Sequence, residues 1–226
     1  MSNKKYAVIV AGGSGTRMSQ SQPKQFLEIG GKPILLHALK AFNDFDSDIS
    51  IIVVLPKEHL KTWKELCEKY KFDTKHKVVE GGSSRFESSK KGLNAISGSG
   101  IVAIHDGARP LVSVQVISET FNQAGRQGNG VAAVPLKDSI RETMGDQNRN
   151  VERDKYFAIQ TPQAFQLDLI QKAFDHADNS KKYTDDASVL EDLGEKIYLT
   201  AGSYENIKVT TPEDLVVAEA ILKSRQ

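Results

Sequence analysis

Gly12, Gly13 and Gly15, followed by Arg17 and Lys24, are the residues whose types and spacing imply chemistry most directly. They stand in V-A-G-G-S-G-T-R-M-S-Q-S-Q-P-K, residues 10–24, directly after an apolar run at 6–10. Glycines at the end of a buried strand let the backbone approach a ligand closely and turn bare N–H groups toward it. That arrangement suits phosphate. An arginine can fork onto phosphate oxygens, and a lysine brings a mobile point charge. The loop is neither of the two common phosphate loops. A P-loop requires Gly, four residues, then Gly-Lys-Ser/Thr, which is absent, and the dinucleotide fingerprint requires a third glycine where Met18 stands. By residue type alone, the stretch also fits an ordinary glycine-rich turn carrying two surface cations.

Two further stretches carry groups of the same kind. Gly81-Gly82-Ser83-Ser84-Arg85, with Ser88 behind it, offers backbone N–H groups and hydroxyls to the edge of a base, or else caps the helix that follows. Ile104-His105-Asp106-Gly107-Ala108-Arg109-Pro110 puts an acid at the end of a strand. Asp106 is well placed there to hold Mg²⁺ on phosphates, and Arg109 to meet a second anion. A purely structural role for Asp106 in holding its loop stays open at this point. His105 reads as a packed or hydrogen-bonded histidine.

Elements must bring these stretches together. Short β-branched runs at 6–10, 49–55, 78–80, 101–105 and 131–135 read as strands. Helical patterns lie between them near 34–43, 58–70, 86–96 and 114–124. The alternation predicts an α/β fold, a Rossmann-like, mostly parallel twisted sheet flanked by helices. Ligands in such sheets sit beyond the carboxyl ends of the strands, which gathers the loops at 11–24, 81–88 and 105–110. Residues 138–156, centred on M-G-D-Q-N-R-N, are highly polar. They read as two strands joined by a Gly-Asp turn that project from the body, or as a flexible surface loop. Stretches 165–177 and 212–223 read as helices, the second capped by Thr211 with Pro212 at its first position. Glu213 and Asp214 then belong to an ordinary helix start and carry no catalytic role. With no repeat, low-complexity segment or linker, residues 1–226 read as one domain with 138–156 as its arm.

A net charge of +1 argues against a nucleic-acid partner. No run approaches 18 apolar residues, so no membrane helix is expected. The start, M-S-N-K-K, runs straight into the first strand and leaves no room for a signal peptide, so a cytoplasmic enzyme is expected. Cys67 sits in the helical pattern of Leu60, Trp63 and Leu66, which points to packing rather than nucleophilic chemistry.

The run A-G-G-S-G-T-R-M, followed by P-K-Q-F-L and G-K-P-I-L, resembles the signature of sugar-nucleotide-type nucleotidyltransferases. The resemblance implies a fold of the nucleotide-diphospho-sugar transferase type. Matching motifs extend from Ala11 to Leu215: G-G-x-x-R-x-x-S, H-D-G-A-R-P, Q-T-P-Q-A-F, T-D-D-A-S-V-L-E and N-I-K-V-T-T-P-E-D-L. Together they resemble the 2-C-methyl-D-erythritol 4-phosphate cytidylyltransferase family of isoprenoid synthesis. A relative, ribitol-5-phosphate cytidylyltransferase, shares the first loop, but D-G-A-R-P and T-D-D-A-S-V-L-E favour the erythritol enzymes. Retention of both loop cations and Asp106 argues against a nucleotide-binding module without turnover.

The resemblance implies CTP and a polyol phosphate as substrates and Mg²⁺ as cofactor. Ala11, Gly12, Gly13 and Gly15 would wrap the triphosphate, with Arg17 and Lys24 stabilising charge at the α-phosphate. Gly82, Ser83 and Ser88 would recognise cytosine; the family usually has an acid where Ser83 stands. Asp106 would hold the metal. Asp106, Arg109, Ser139, Arg153, Thr161, Thr184 and Lys208 would bind the polyol phosphate, with Arg153 and Lys208 orienting it. Ser139 stands where the family has Thr, and Gly107 where it has Ala. The arm would exchange between the subunits of a homodimer and carry Arg153 across. A phosphate monoester, with a second pKa of about 6, is already ionised at neutral pH, so no strong general base is required.

Overall fold

The computed structural model describes residues 4–12, 23–178 and 180–225. In chain order they form β1 (Lys5–Val10), β2 (Glu28–Ile29), β3 (Lys32–Pro33), α1 (Ile34–Phe45), β4 (Ser50–Leu55), α2 (Leu60–Lys69) and β5 (His76–Glu80). Next come α3 (Arg85–Asn94), β6 (Ile101–Asp106), α4 (Val114–Gln127), β7 (Asn129–Pro135), β8 (Arg141–Met144) and β9 (Gln147–Asn150). The chain closes with β10 (Phe157–Gln166), α5 (Leu167–His176), α6 (Asp186–Asp192), β11 (Leu199–Ala201) and α7 (Pro212–Ser224).

Among the described residues, seven strands make one sheet in the order β11-β7-β10-β6-β1-β4-β5. β1 pairs parallel with β4 and β6, β4 with β5, and β11 with β7. Strand β10 runs antiparallel between β6 and β7. The sheet is the expected Rossmann-like, mostly parallel one.

Both sheet faces are covered, which explains the unbroken apolar runs. Successive strand residues point to opposite faces. Ala7 and Ile9 accordingly join one core cluster with Leu35, Phe42, Trp63 and Phe121, while Tyr6, Val8 and Val10 join the other with Leu93, Ile170 and Phe174. Full burial of each large side chain stabilises the fold by roughly 1.5–3 kcal/mol. Helix starts follow local signals. Ser84 caps α3 by accepting from the Glu87 N–H, and Asp185 caps α6. Asp214, in the first turn of α7, accepts from the N–H groups of Thr210 and Thr211 at 2.8 and 2.9 Å, the structural use expected of it.

The helix expected from residue 165 begins at Leu167, and the preceding ten residues form β10, a strand that periodicity did not reveal. Its sequence, F-A-I-Q-T-P-Q-A-F-Q, carries Gln160, Thr161 and Gln163, all buried. Its pairing with β7 shifts register between Ile159 and Gln163, where Pro162 is tolerated. Strand β11 and helix α6 were likewise not read from the sequence. In the arm, β8 and β9 form an antiparallel hairpin around Gly145 and Asp146. Gly145 takes φ +61°, which glycine adopts readily. All eight strand residues of the hairpin are exposed.

Candidate active site

Residues 11–12 after β1 and the loops after β5 and β6 meet at the carboxyl ends of the strands. Val10, the last residue of β1, stands in register with Asp106 and Val54. The Ala11 N–H donates to the Val54 carbonyl and the Gly107 N–H to the Val10 carbonyl, at 2.9 and 2.8 Å, so both loops leave the sheet from fixed points. A cavity of about 240 Å³ opens there, lined by Val10, Ala11, Gly12, Lys24, Gln25, Gly82, Ser83, Ser84, Arg85, Ser88, Asp106, Ala108 and Lys208. Beside it lies another of about 250 Å³, lined by Arg85, Asp106, Arg109, Ile159, Gln160, Thr161, Gln163, Thr184, Asp185 and Lys208. Arg85, Asp106 and Lys208 belong to both walls.

Close packing shapes the first cavity. The Gly82 N–H donates to Ser88 Oγ at 3.1 Å, and a Cβ on Gly82 would come within 2.3 Å of Glu87 Cβ. Glycine is what lets this loop lie against α3. The Ser83 hydroxyl donates to Glu87 Oε2 at 2.8 Å, so an acid stands beside Ser83 one helical turn away.

Asp106 is the charge centre of the site. Its carboxylate, 9% exposed, accepts from Arg85 Nε at 3.1 Å and lies 2.8 Å from Lys208 Nζ and 3.7 Å from Arg109 Nε. Burial alone would raise its pKa, but the surrounding cations, Arg85 foremost, hold it well below the usual carboxylate range. Arg85 also donates through Nη2 to Asp186 at 2.6 Å. Desolvation opposes the Arg85 charge, and the two carboxylates outweigh it and raise its pKa. Four cations on the two walls, Lys24, Arg85, Arg109 and Lys208, face three acids, Asp106 and Asp185 on the walls and Asp186 behind Arg85, leaving a local charge of +1.

A chain of hydrogen bonds fixes the Asp106 loop from beneath. The Asp106 N–H donates to Thr161 Oγ1 at 3.0 Å. Thr161 Oγ1 lies 3.1 Å from His105 Nδ1, and His105 Nε2 lies 3.1 Å from the Arg109 carbonyl. A carbonyl only accepts, so Nε2 carries the hydrogen in this assignment. Burial lowers the His105 pKa to about 4, so the imidazole is neutral and its bare Nδ1 accepts from the Thr161 hydroxyl. His105 is thus the packed, bonded histidine the sequence predicted.

Ala11, Gly12, Lys24, Gly82, Ser83, Ser88 and Asp106 line the first cavity. Asp106, Arg109, Thr161, Thr184 and Lys208 line the second. Gly13, Gly15 and Arg17 lie outside the described residues. Ser139 and Arg153 line neither cavity; Arg153 is exposed and donates from Nη1 to the Lys137 carbonyl at 2.5 Å. Arg85 and Asp186 are site residues that the sequence alone does not single out. Their motifs, G-G-S-S-R and T-D-D-A-S, were visible, but the pairing between them was not. Among the described residues, no three acid, histidine or cysteine side chains cluster to cage a metal. The single carboxylate of Asp106 fits a hard ion that draws its other ligands from phosphates and water, as Mg²⁺ does.

Known proteins share this architecture and sequence. The family model described as 2-C-methyl-D-erythritol 4-phosphate cytidylyltransferase (IspD) matches residues 6–224. The chain belongs to this family. Its similarity to the Bacteroides fragilis 2-C-methyl-D-erythritol 4-phosphate cytidylyltransferase is 46% identity over 216 residues, 96% of this chain and 98% of that protein. The Porphyromonas gingivalis protein of the same name is 42% identical over 99% of this chain and all of its own length. Among solved structures, the 4-diphosphocytidyl-2C-methyl-D-erythritol synthase of Anaerococcus prevotii aligns with a TM-score of 0.85 at 32% identity, covering 98% of this chain and 96% of that one. The Thermus thermophilus 2-C-methyl-D-erythritol 4-phosphate cytidylyltransferase aligns at 0.80 and 30%, covering 99% and 100%.

Proposed function

We propose that this chain transfers the cytidylyl group of CTP to 2-C-methyl-D-erythritol 4-phosphate, releasing pyrophosphate and forming 4-diphosphocytidyl-2-C-methyl-D-erythritol. The observation that carries the reading beyond family membership is the pair of adjoining cavities that share Arg85, Asp106 and Lys208. Two polyanions seated there meet across one cluster of fixed charges.

In this reading the first cavity takes CTP and the second takes the polyol phosphate. An oxygen of the ionised phosphate monoester attacks the α-phosphorus of CTP. A phosphorus–oxygen bond forms, the α–β anhydride bond breaks, and pyrophosphate leaves with the electron pair. No proton has to be removed from the nucleophile. Catalysis is positioning and charge neutralisation. Lys24 and Arg17 stabilise the α-phosphate, Lys208 and Arg109 hold the attacking phosphate, and Gly82, Ser83 and Ser88 face the base. Thr184 contacts the polyol, while Thr161 acts through the Asp106 loop its hydroxyl holds. Asp106 would hold Mg²⁺, which supplies further charge neutralisation at the phosphates when bound.

Residues 138–156 are read as a dimerisation arm. What supports this is the exposure of every strand residue of β8 and β9, since an isolated hairpin is marginally stable in water. Met144, Tyr156, Phe157 and Ile159 are also exposed on or beside it. Arg153 and Ser139, which line neither cavity of their own chain, would then serve the partner's site. The rest of the chain is read as one cytoplasmic catalytic domain. Among the described residues, no helix is long and apolar enough to cross a membrane.

Pyrophosphate release with CTP, Mg²⁺ and 2-C-methyl-D-erythritol 4-phosphate tests the reaction, with ribitol 5-phosphate and UTP or GTP as parallel arms. Release that requires CTP and the erythritol phosphate is the expected result. Equal or faster release with ribitol 5-phosphate overturns the substrate, and no release with any pair overturns the activity.

A further inference from the structure

Arg85 is the first residue of α3, capped by Ser84. A cation in the first turn of a helix works against the helix dipole, so nothing local favours an arginine there. What holds it are two acids from distant parts of the chain. Nε donates to Asp106 Oδ1 at 3.1 Å, and Nη2 donates to Asp186 Oδ2 at 2.6 Å. Asp106 closes β6 on the nucleotide side. Asp186 opens α6 on the polyol side, directly after Thr184 and Asp185, which line the second cavity. Asp186 is 1% exposed and Arg85 28%, so the fork is shielded while one flank of the guanidinium reaches both walls.

The far end of the fork is rigidly mounted. Gln163 of β10 donates to Asp185 Oδ2 at 2.8 Å and accepts from the Ala187 N–H at 2.8 Å, which ties the start of α6 to the sheet. The near end is mounted by the Asp106 N–H on Thr161. Arg85 spans the two mounts. A lysine would supply the charge but not the planar fork.

We propose that Arg85 is a positioning residue that couples the two substrate pockets, with Asp186 as its anchor: it sets the Asp106 carboxylate at their shared wall and the α6 start at the polyol end. This rests on the two-pocket reading above. Disturbing the anchor must harm the polyol side first, because the nucleotide side keeps its own supports in Ser84 and Ser88. Disturbing Arg85 must harm both sides.

Steady-state kinetics on the full chain test this with Asp186→Asn, Arg85→Lys and the double variant. Asp186→Asn is expected to raise the KM for 2-C-methyl-D-erythritol 4-phosphate roughly ten- to hundredfold, a misplacement effect, with the KM for CTP within about twofold. Arg85→Lys is expected to lower kcat as well. The double variant should be no worse than the poorer single one, because the two residues act as a unit. Losses that multiply, or KM values that rise together in Asp186→Asn, overturn the proposal. A measurement on the wild-type chain guards against misfolded variants. The Arg85 Nε–H resonance, assigned by its loss in Arg85→Lys, is expected to move on addition of CDP alone and of the polyol phosphate alone. Movement with only one ligand, or with neither, overturns the coupling. A wild-type chain that turns over no substrate instead fails the two-pocket reading, and the inference falls with it.

Discussion

Replacing Asp106 by Asn keeps the side-chain shape and removes one charge from the centre of the site. In the native arrangement that charge faces Lys208 at 2.8 Å, Arg85 at 3.1 Å and Arg109 at 3.7 Å. Removing one partner of a buried charge cluster typically destabilises by about 3–5 kcal/mol. Lys208 is 39% exposed and Arg85 keeps Asp186, so solvent and the second acid absorb part of this. The expected loss is roughly 2–4 kcal/mol at neutral pH after that discount. For a chain of this length, that lowers the unfolding midpoint by roughly 4–16 °C. The sign with anions is the opposite. The variant site is one unit more positive, so inorganic pyrophosphate should bind it more tightly and raise its midpoint more than that of the wild type. Turnover should nevertheless fall about a hundredfold or more, because a preorganised group is missing from the transition state. Acid provides a second check. A carboxylate whose folded pKa is depressed contributes stability above its unfolded pKa, and that contribution is lost as pH falls toward the folded value. The gap between wild type and variant should therefore shrink on acidification below about pH 4, near the reference carboxylate pKa. Thermal unfolding with and without pyrophosphate, repeated down the pH scale, measures the stability and anion-binding outcomes, and pyrophosphate release measures turnover. A variant as stable as wild type at neutral pH, or one that gains less from pyrophosphate, would refute the charge-centre reasoning.

Three other outcomes are expected. Lys24→Ala and Arg17→Ala should each lower kcat roughly a hundredfold or more, and near-normal turnover in both rejects their roles at the α-phosphate. Arg153→Ala should raise the KM for the polyol phosphate while leaving CTP binding intact, and dimers mixed from Arg153→Ala and Lys24→Ala chains should regain activity; no recovery means Arg153 serves its own chain. Thr161→Val leaves the Asp106 N–H and His105 Nδ1 without partners, each orphan costing about 1–3 kcal/mol. Urea unfolding should show that loss, whereas Thr161→Ser should retain most of the stability.

Local chemistry was legible in the sequence. The glycine-rich run, the strand-end acid and the hydroxyl-rich loop were each visible as short runs, and β1, β4, β6 and β7 declared themselves by unbroken apolar composition. Such runs must be buried on both faces, and no distant partner is needed to see that. Strand β10 was hidden because its buried residues include Gln160, Thr161 and Gln163, whose polarity makes sense only beside the groups they bond.

The sequence by itself therefore determined the family and five of the seven strands of the sheet. Only the tertiary structure decided which charges face one another. Arg85 meets Asp186 across 101 positions, and Lys208 meets Asp106 at the carboxyl ends of the strands. Periodicity reports how a residue relates to its neighbours within a turn or a pleat. Ion pairs between separate loops are set by strand order, which is settled when β10 enters between β6 and β7.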